Sequence, residues 1–472
     1  MPTPVHRFTA DARRILTLAW PVIVGQLAVL AFGTLDTVLL ARHATADLAA
    51  LAVGGSAYII VFIGLMGVVT AVSPIVGRLH GAGRHAEAGR QLWQALWLAG
   101  GLTGIGALAL LWPDALLRAS RLSPALDTQV RTYLAWLALA LPAALGFAAF
   151  RGFSNAISRP RVVMRLQLGG LALKAPLAWA LVGGVPALGV PALGITGCGI
   201  STVVAFWAQA LAAIWLARRD PQHHRHALGA RGAWRPDPAA LKALLRLGIP
   251  MGAGIAVEIT GFAAMALFIA RLGETAVAGH QIATNLVGLL FMLPLGLSHG
   301  TAALVAQRIG AQDLADARRI GHHGLLLALG LALLAGGAVW LLRGPIVGLY
   351  TDRPDVAAAA LPLLSWVLVF HAVDAVQTLT AFVLRAWHVA LLPMGVYLLA
   401  VWGVGLGGGQ WLAFGADGGA TAAGAWLARW PADWQGARGF WIASTAGLGL
   451  AAVTLTLLQW RVTRRAAARV AG

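Results

Sequence analysis

Long apolar runs bounded by charged residues dominate this chain. Each run is about 20 residues or longer, the length that an α-helix needs to cross roughly 30 Å of hydrocarbon. No alternation over segments of about ten residues favours a β-barrel. The pattern therefore predicts twelve membrane-spanning helices, near residues 15–41, 48–76, 91–112, 130–150, 163–185, 193–217, 244–270, 277–305, 323–342, 357–384, 389–414 and 439–460.

The composition agrees with an all-α polytopic membrane protein. Hydrophobic residues make up 59% of the chain and charged residues 11%, and the mean hydropathy is +0.77. The first apolar run follows Arg13 and Arg14 and is too long for a signal-peptide core, so we interpret it as a retained helix. The single cysteine, Cys198, excludes an intrachain disulfide and a thiolate metal cluster.

Basic residues predict the orientation of the helices. When the N-terminus and every second loop are assigned to one side, that side collects 25 of the 35 lysines and arginines. By the positive-inside rule, both termini are expected to be cytoplasmic. Basic loops beside anionic lipid headgroups also account for the net charge of +18, so no nucleic-acid partner is expected.

The two halves of the chain resemble each other at an offset of about 229 residues. Pro21 in LTLAWPVIVG matches Pro250 in LLRLGIPMGAG, and Arg42 matches Arg271. Repeats that each contain six helices keep the same orientation, so two pseudo-symmetric six-helix bundles around a central cleft are expected. The predicted organisation is an N-terminal lobe, a cytoplasmic linker and a C-terminal lobe at residues 1–217, 218–243 and 244–472.

Three of the 17 acidic residues lie inside apolar spans: Asp36, Glu258 and Asp374. Inserting a charged side chain near the bilayer centre costs about 2.5–3.5 kcal/mol of free energy on insertion scales. Each of these acids is therefore expected to have either a compensating partner or a functional role. The repeat offset aligns Asp36 with Met265 and Glu258 with Val29. The acids are therefore not repeated parts of the scaffold, which favours a functional role for them. The structural alternative is that they only form hydrogen bonds between helices.

The sequence predicts no functional site in two segments, one polar and one rich in glycine. His223, His224 and His226 lie in the polar linker, and we interpret them as part of a solvated loop rather than as a metal site. The segment 404–438 is long and rich in glycine, and we expect an external loop there.

Several motifs along the chain follow a recognisable pattern: WPVIVGQLAVLAFGTLDTVLLARHATADLAA, PIVGRLHGAGR, LGVPALGITGCGIST, LGIPMGAGIAVEITGF, RLGETAVAGHQIATN and YTDRPDVAAAALPLLSWVLVFHAVDAVQTLTAFVLRAW. Through these motifs the chain resembles the multidrug and toxic compound extrusion (MATE) family, and more closely its NorM branch. The resemblance covers nearly the whole chain.

The resemblance implies a twelve-helix antiporter that exports small organic cations in exchange for Na⁺ or H⁺ by alternating access. It assigns coupling-ion and substrate contacts, with Glu258 and Asp374 as the candidate Na⁺ ligands, to the positions matched here by Glu258, Asp374, Asp36, Gln281, Phe262 and Phe370. Carboxylate and amide oxygens suit a hard cation, and aromatic rings suit lipophilic ammonium groups. The same carboxylates could instead carry protons, because desolvation in an apolar cleft favours the neutral form of an acid.

One position departs from the family pattern. Where members often carry two asparagines on the fifth helix, this chain reads Lys174-Ala175-Pro176-Leu177-Ala178. We hypothesise that Lys174 pairs with Asp36 and replaces a polar ion-binding network in the N-terminal lobe. Coupling would then depend on Glu258 and Asp374.

No enzymatic motif is visible, and neither a phosphate loop nor a glycine-elbow serine occurs. Two other functions are alternatives: a lipid-linked precursor flippase, which should line its cleft with arginines, and an ion channel, which should show an acidic ring or a carbonyl filter. The resemblance favours the antiporter, in the inner membrane of a bacterium, with membrane lipids around it, no cofactor and no obligate protein partner.

Overall fold

The computed structural model describes residues 4–114, 117–118, 122–220, 223, 225–230, 232–414 and 434–471. Nearly all of this part is helical. The elements are α1 (Pro4–His43), α2 (Thr45–Val69), α3 (Val72–Gly81), α4 (His85–Leu111), α5 (Pro124–Ala156), α6 (Pro160–Gly183), a 3₁₀ turn (Pro186–Leu188), α7 (Ile195–Arg219), α8 (Pro238–Ala270), α9 (Glu274–Gly310), α10 (Leu314–Tyr350), α11 (Pro354–Ala386), α12 (Leu391–Tyr397), a π-helix (Leu398–Gly407), α13 (Gly408–Phe414) and α14 (Ala437–Ala471).

Twelve helical segments in the described ranges are long and apolar enough to cross a membrane, which confirms the prediction from the apolar runs. α2 and α3 form one such segment, Thr45–Gly81, and α12, the π-helix and α13 form another, Leu391–Phe414. Several helices extend beyond the predicted runs. α10, for example, covers Leu314–Tyr350 where the sequence predicted 323–342. Charged residues that end an apolar run can still continue the helix outside the hydrocarbon.

Backbone contacts divide the chain into two compact units. The C-terminal unit comprises Met1–Ala19, Ala253–Ile309 and Asp313–Gly472, and the N-terminal unit comprises Trp20–Gly252 and Gly310–Gln312. The division falls inside α1 and α8. The lobes 1–217 and 244–472 with the linker 218–243 are defined by the sequence repeat and stay a prediction.

Each unit is built around one enclosed helix. In the N-terminal unit α5 packs against α2, α4 and α7, and in the C-terminal unit α11 packs against α10 and α14. α5 is rich in alanine. Of the twelve segments it has the most enclosed apolar stretch, in which 72% of the residues are buried. Small side chains let neighbouring helices approach closely, which is how helices associate in hydrocarbon.

The expectation of an external loop at 404–438 is wrong for its first part. Residues up to Phe414 are helical, in the π-helix and α13, and residues 415–433 lie outside the described ranges. Glycine lowers helix stability by only about 1 kcal/mol per residue, so packing can override it. Gly409 illustrates that packing, because a Cβ there would lie 2.4 Å from the ring of Phe440 on α14.

The expectation of a solvated loop in the linker is also wrong for the histidines that the structure describes. His223 is fully buried and His226 is 3% exposed, while His224 lies outside the described residues. Side chains of α4 hold the linker by its main chain: Trp93 Nε1 donates to the carbonyl of Leu228 at 2.9 Å, Gln94 Nε2 to that of Arg235 at 2.8 Å and Trp97 Nε1 to that of Trp234 at 2.7 Å. The linker is therefore a docked segment of the N-terminal unit.

Replacing Gly197 with valine is expected to destabilise the packing of α7 on α6. A Cβ at Gly197 would lie 2.5 Å from the backbone oxygen of Leu181, and over-packing of this kind costs about 1–3 kcal/mol. The measurement is the thermal unfolding midpoint of the detergent-solubilised protein, which should fall. Gly169→Ala on α6, where no atom lies within 4 Å, is the matched control and should not lower the midpoint. An unchanged midpoint for Gly197→Val would contradict the close approach.

Candidate functional site

Asp36 on α1 and Lys174 on α6 form a buried ion pair in the N-terminal unit. Lys174 Nζ donates to Asp36 Oδ2 at 2.6 Å, and the two residues are 1% and 6% exposed. The Lys174 ammonium also lies 4.8 Å from the ring centre of Phe32. An ion pair in an apolar interior stabilises only if both charges keep good partners, and these two charges compensate each other directly.

Aromatic and thiol groups surround this pair. The thiol of Cys198 and the phenol of Tyr133 lie close enough to Asp36 to interact with it electrostatically. Asp36 Oδ1 and the hydroxyl of Tyr58 are buried, and neither has a hydrogen-bond partner among the described residues. Asp36 therefore keeps one carboxylate oxygen that the ion pair does not use.

Glu258 on α8 and Asp374 on α11 lie in the C-terminal unit, within electrostatic reach of each other. Asp374 is 4% exposed, and Glu258 is partly buried. Arg385, near the end of α11, is the basic group that interacts with Glu258, and its guanidinium also lies 4.4 Å from the ring centre of Phe382. Arg385 thus compensates Glu258 from a distance, in contrast to the direct ion pair of the N-terminal unit.

A chain of hydrogen bonds fixes Asp374. Gln377 Nε2 donates to Asp374 Oδ1 at 2.9 Å and to Thr378 Oγ1 at 3.0 Å, and the hydroxyl of Tyr397 donates to Gln377 Oε1. His371, one turn before Asp374, is fully buried, and its two ring nitrogens have no hydrogen-bond partner in the described part of the chain. The Gln377 amide therefore orients the Asp374 carboxylate.

Sequence reasoning assigned no role to Gln377, Tyr397 or Arg385. Gln377 lies three residues after Asp374, a spacing that places both side chains on one helix face, and this spacing could have identified it. Tyr397 is on a separate helix, and nothing in its local sequence links it to Asp374.

The structure places the predicted aromatic contacts in the packed interior of the C-terminal unit. The rings of Phe262 and Phe370 meet edge to face at 6.1 Å, and Phe370 lies 5.3 Å from the indole of Trp441. Phe370 is 1% exposed, while Phe262 is partly buried and lines a small apolar recess. Gln281 on α9 is exposed, and the preceding residue, His280, faces the interior and accepts from Trp441 Nε1 at 3.2 Å.

The sequence matches the MatE family in two places, residues 21–180 and residues 250–409. These matches start 229 residues apart, the offset of the internal repeat. The chain is 42% identical over 434 residues to the probable multidrug resistance protein NorM of Aromatoleum aromaticum, covering 91% of this chain and 92% of that protein. It is 34% identical over 467 residues to the multidrug resistance protein PmpM of Pseudomonas aeruginosa, covering 97% and 93%.

The fold is similar to those of solved transporters. The eukaryotic MATE transporter AtDTX14 superposes with a TM-score of 0.83 at 18% identity, covering 98% of this chain and 99% of that one. The Vibrio cholerae MATE transporter VcmN in its bent form superposes with a TM-score of 0.82 at 16% identity, covering 97% and 98%. At these identities the similarity concerns the fold.

Replacing one partner of the buried ion pair is expected to lower the stability of the protein more than replacing both partners. Asp36→Asn or Lys174→Met leaves one charge buried without its partner, which should destabilise the protein by about 3–5 kcal/mol, whereas the double variant should recover most of that loss. Thermal unfolding midpoints of the four proteins in detergent measure this coupling. Arg353→Ala, which breaks an exposed pair with Asp355, is the control and should change the midpoint little. A double variant as unstable as the sum of the single variants would show that the two residues do not interact.

Proposed function

This chain belongs to the MatE family, and from that premise we propose that it exports lipophilic organic cations in exchange for Na⁺ or H⁺ at Glu258 and Asp374. As a member of the family it is a multidrug efflux transporter and not an enzyme. The substrate class, the coupling ion and the residues that bind them form the proposal.

The observation that carries the proposal is that two acids, Glu258 and Asp374, lie close together inside the apolar spans of the C-terminal unit. Glu258 and Asp374 lie within electrostatic reach of each other, and Arg385 interacts with Glu258. Two carboxylates in an apolar interior bind a further cation favourably, because it relieves their mutual repulsion. A coupling ion and a cationic substrate therefore compete for one site.

Competition of this kind gives exchange. When the coupling ion occupies the carboxylates, the cationic substrate is released, and when the ion leaves, the substrate can bind. Net transport also requires that each ligand bind the two access states of the protein with different affinity. Gln377 and Tyr397 support this role by holding Asp374 in one orientation, so that Glu258 is the carboxylate with freedom to respond.

The remaining predicted residues have supporting roles in the proposal. Phe262 offers a ring face beside the apolar recess, which suits a lipophilic ammonium ion, and Phe370 fixes that ring by edge-to-face contact. Gln281 has an exposed side chain whose amide oxygen is available to a substrate or a hydrated ion. Asp36 is neutralised by Lys174, so in this proposal Asp36 provides no independent site for the coupling ion.

We also propose that the protein lies in the cytoplasmic membrane of a bacterium with both termini in the cytoplasm. The support is the distribution of basic residues, 25 of 35 on the side of the termini. Small organic cations and the surrounding lipids are the proposed partners, with no nucleic acid, cofactor or obligate protein.

Neutralising either carboxylate is expected to abolish coupled transport. Purified protein is reconstituted in liposomes loaded with a fluorescent lipophilic cation, and a Na⁺ gradient and a pH gradient are imposed separately. Glu258→Gln and Asp374→Asn should each slow gradient-driven dye movement at least about tenfold, since losing a buried charge partner costs about 2 kcal/mol or more. The gradient that drives dye movement in the wild type identifies the coupling ion.

Asp355→Asn is the control for these variants, because Asp355 is an exposed acid of the same helix as Asp374 and pairs with Arg353. It should transport at the wild-type rate. Wild-type exchange rates in monodisperse Glu258→Gln and Asp374→Asn proteins would contradict the proposed site and direct attention to Asp36.

Fusion of reporters to the C-terminus tests the proposed orientation. A green fluorescent protein fusion should fluoresce, and an alkaline phosphatase fusion should be inactive, because phosphatase folds only on the periplasmic side. The opposite pattern would show that the termini are external.

A further inference from the structure

Three histidines from three separate segments meet in the N-terminal unit. His80 lies in the last turn of α3, His85 is the first residue of α4 and His226 lies in the linker. Each offers one ring nitrogen, and these nitrogens lie within 4.8 Å of one another. The rings of His80 and His226 stack at 5.5 Å, and the ring of His85 lies 5.0 Å and 5.3 Å from them.

The α3–α4 connection brings His80 and His85 to one place. Gly83 has φ +73°, a left-handed conformation that favours glycine, and the turn is closed by bonds from Gly83 N to the carbonyl of His80 and from Arg84 N to that of Leu79. The reversal lets two residues five positions apart, on different helices, face each other.

The position of His226 is fixed just as closely. A Cβ at Gly89 would lie 1.9 Å from the carbonyl oxygen of His226, so only glycine lets the linker approach α4 this far. The bond from Trp93 to Leu228 holds the next turn of the linker, and the ring of Phe153 meets that of His226 edge to face at 5.3 Å. His226 is 3% exposed as a result.

One distance in this histidine cluster equals the separation of two ligands of a tetrahedral metal ion. Tetrahedral zinc with Zn–N bonds of about 2.0–2.1 Å separates two ligand nitrogens by about 3.3 Å. His80 Nδ1 and His226 Nε2 are 3.3 Å apart, close enough for a hydrogen bond between the rings in the absence of a metal ion. His85 Nδ1 is buried and has no hydrogen-bond partner in the ranges that the structure describes, although a buried ring nitrogen normally has one. A metal ion would satisfy it.

We propose that His80, His85 and His226 bind one divalent transition-metal ion. Neutral imidazoles suit Zn²⁺, Co²⁺, Ni²⁺ and Cu²⁺, and with three protein ligands the fourth position of a tetrahedral ion is left to water. The bound ion joins the linker to the α3–α4 connection. This site is separate from the carboxylates at which exchange is proposed, and it does not depend on them.

Metal binding to the full-length, detergent-solubilised chain without a histidine tag tests the proposal. Equilibrium dialysis against Zn²⁺ should load about one ion per chain, measured by elemental analysis, and Zn²⁺ should raise the thermal unfolding midpoint. Co²⁺ should give visible d–d bands of the intensity that tetrahedral coordination produces. Each of the three ligand variants, His80→Gln, His85→Gln and His226→Gln, should lower the Zn²⁺ affinity at least about tenfold. Tenfold is the smallest loss of affinity typical of substitutions that disturb a metal site.

Two further variants separate geometry from histidine content. Gly89→Ala keeps all three imidazoles but displaces the main chain of His226, so it should also weaken Zn²⁺ binding. His322→Gln removes an exposed histidine elsewhere and should bind as the wild type does. Sub-stoichiometric Zn²⁺ in the wild type, an octahedral Co²⁺ spectrum, or equal affinity in the three ligand variants would overturn the proposal and leave a packed histidine cluster.

Discussion

The cost of removing a charge from water is the constraint on which both units depend. The N-terminal unit meets it by direct neutralisation, with Lys174 bonded to Asp36 at 2.6 Å. The C-terminal unit meets it only in part, through the Gln377 amide on Asp374 and the proximity of Arg385 to Glu258. The directly neutralised pair leaves no net charge in the apolar interior, whereas the two acids of the C-terminal unit are compensated only in part.

The internal repeat makes this difference informative. The MatE family matches the two halves at the offset of 229 residues, so the halves share a scaffold. At the position aligned with Asp36, the second half has Met265, which is 2% exposed in an apolar cluster. At the position aligned with Glu258, the first half has Val29, which is 44% exposed. The backbone plan was retained while the ionisable groups became specialised in each half.

Much of the fold could be predicted from the sequence, because the length of an apolar run directly reflects the thickness of the hydrocarbon. The helix ends were less predictable, since α10 continues past its charged residues and the glycines of 404–414 remain helical. The neighbours of the carboxylates were predictable only where spacing on one helix reveals them, as for Gln377. The contact of Tyr397 with Gln377 and the proximity of His80, His85 and His226 depend on tertiary packing. No local sequence pattern predicts either of them.

Side chains of α4 hold the linker largely through hydrogen bonds to the linker main chain. Trp93, Gln94 and Trp97 all bond to main-chain carbonyls, and Gln94 Oε1 also accepts from the backbone N–H of Asp237. Recognition of this kind constrains the path of the segment more than the identity of its residues. Apart from the buried His223 and His226, the linker can accept many substitutions during evolution as long as α4 keeps its donors, whereas an inserted residue or an affinity tag would shift the carbonyls out of register.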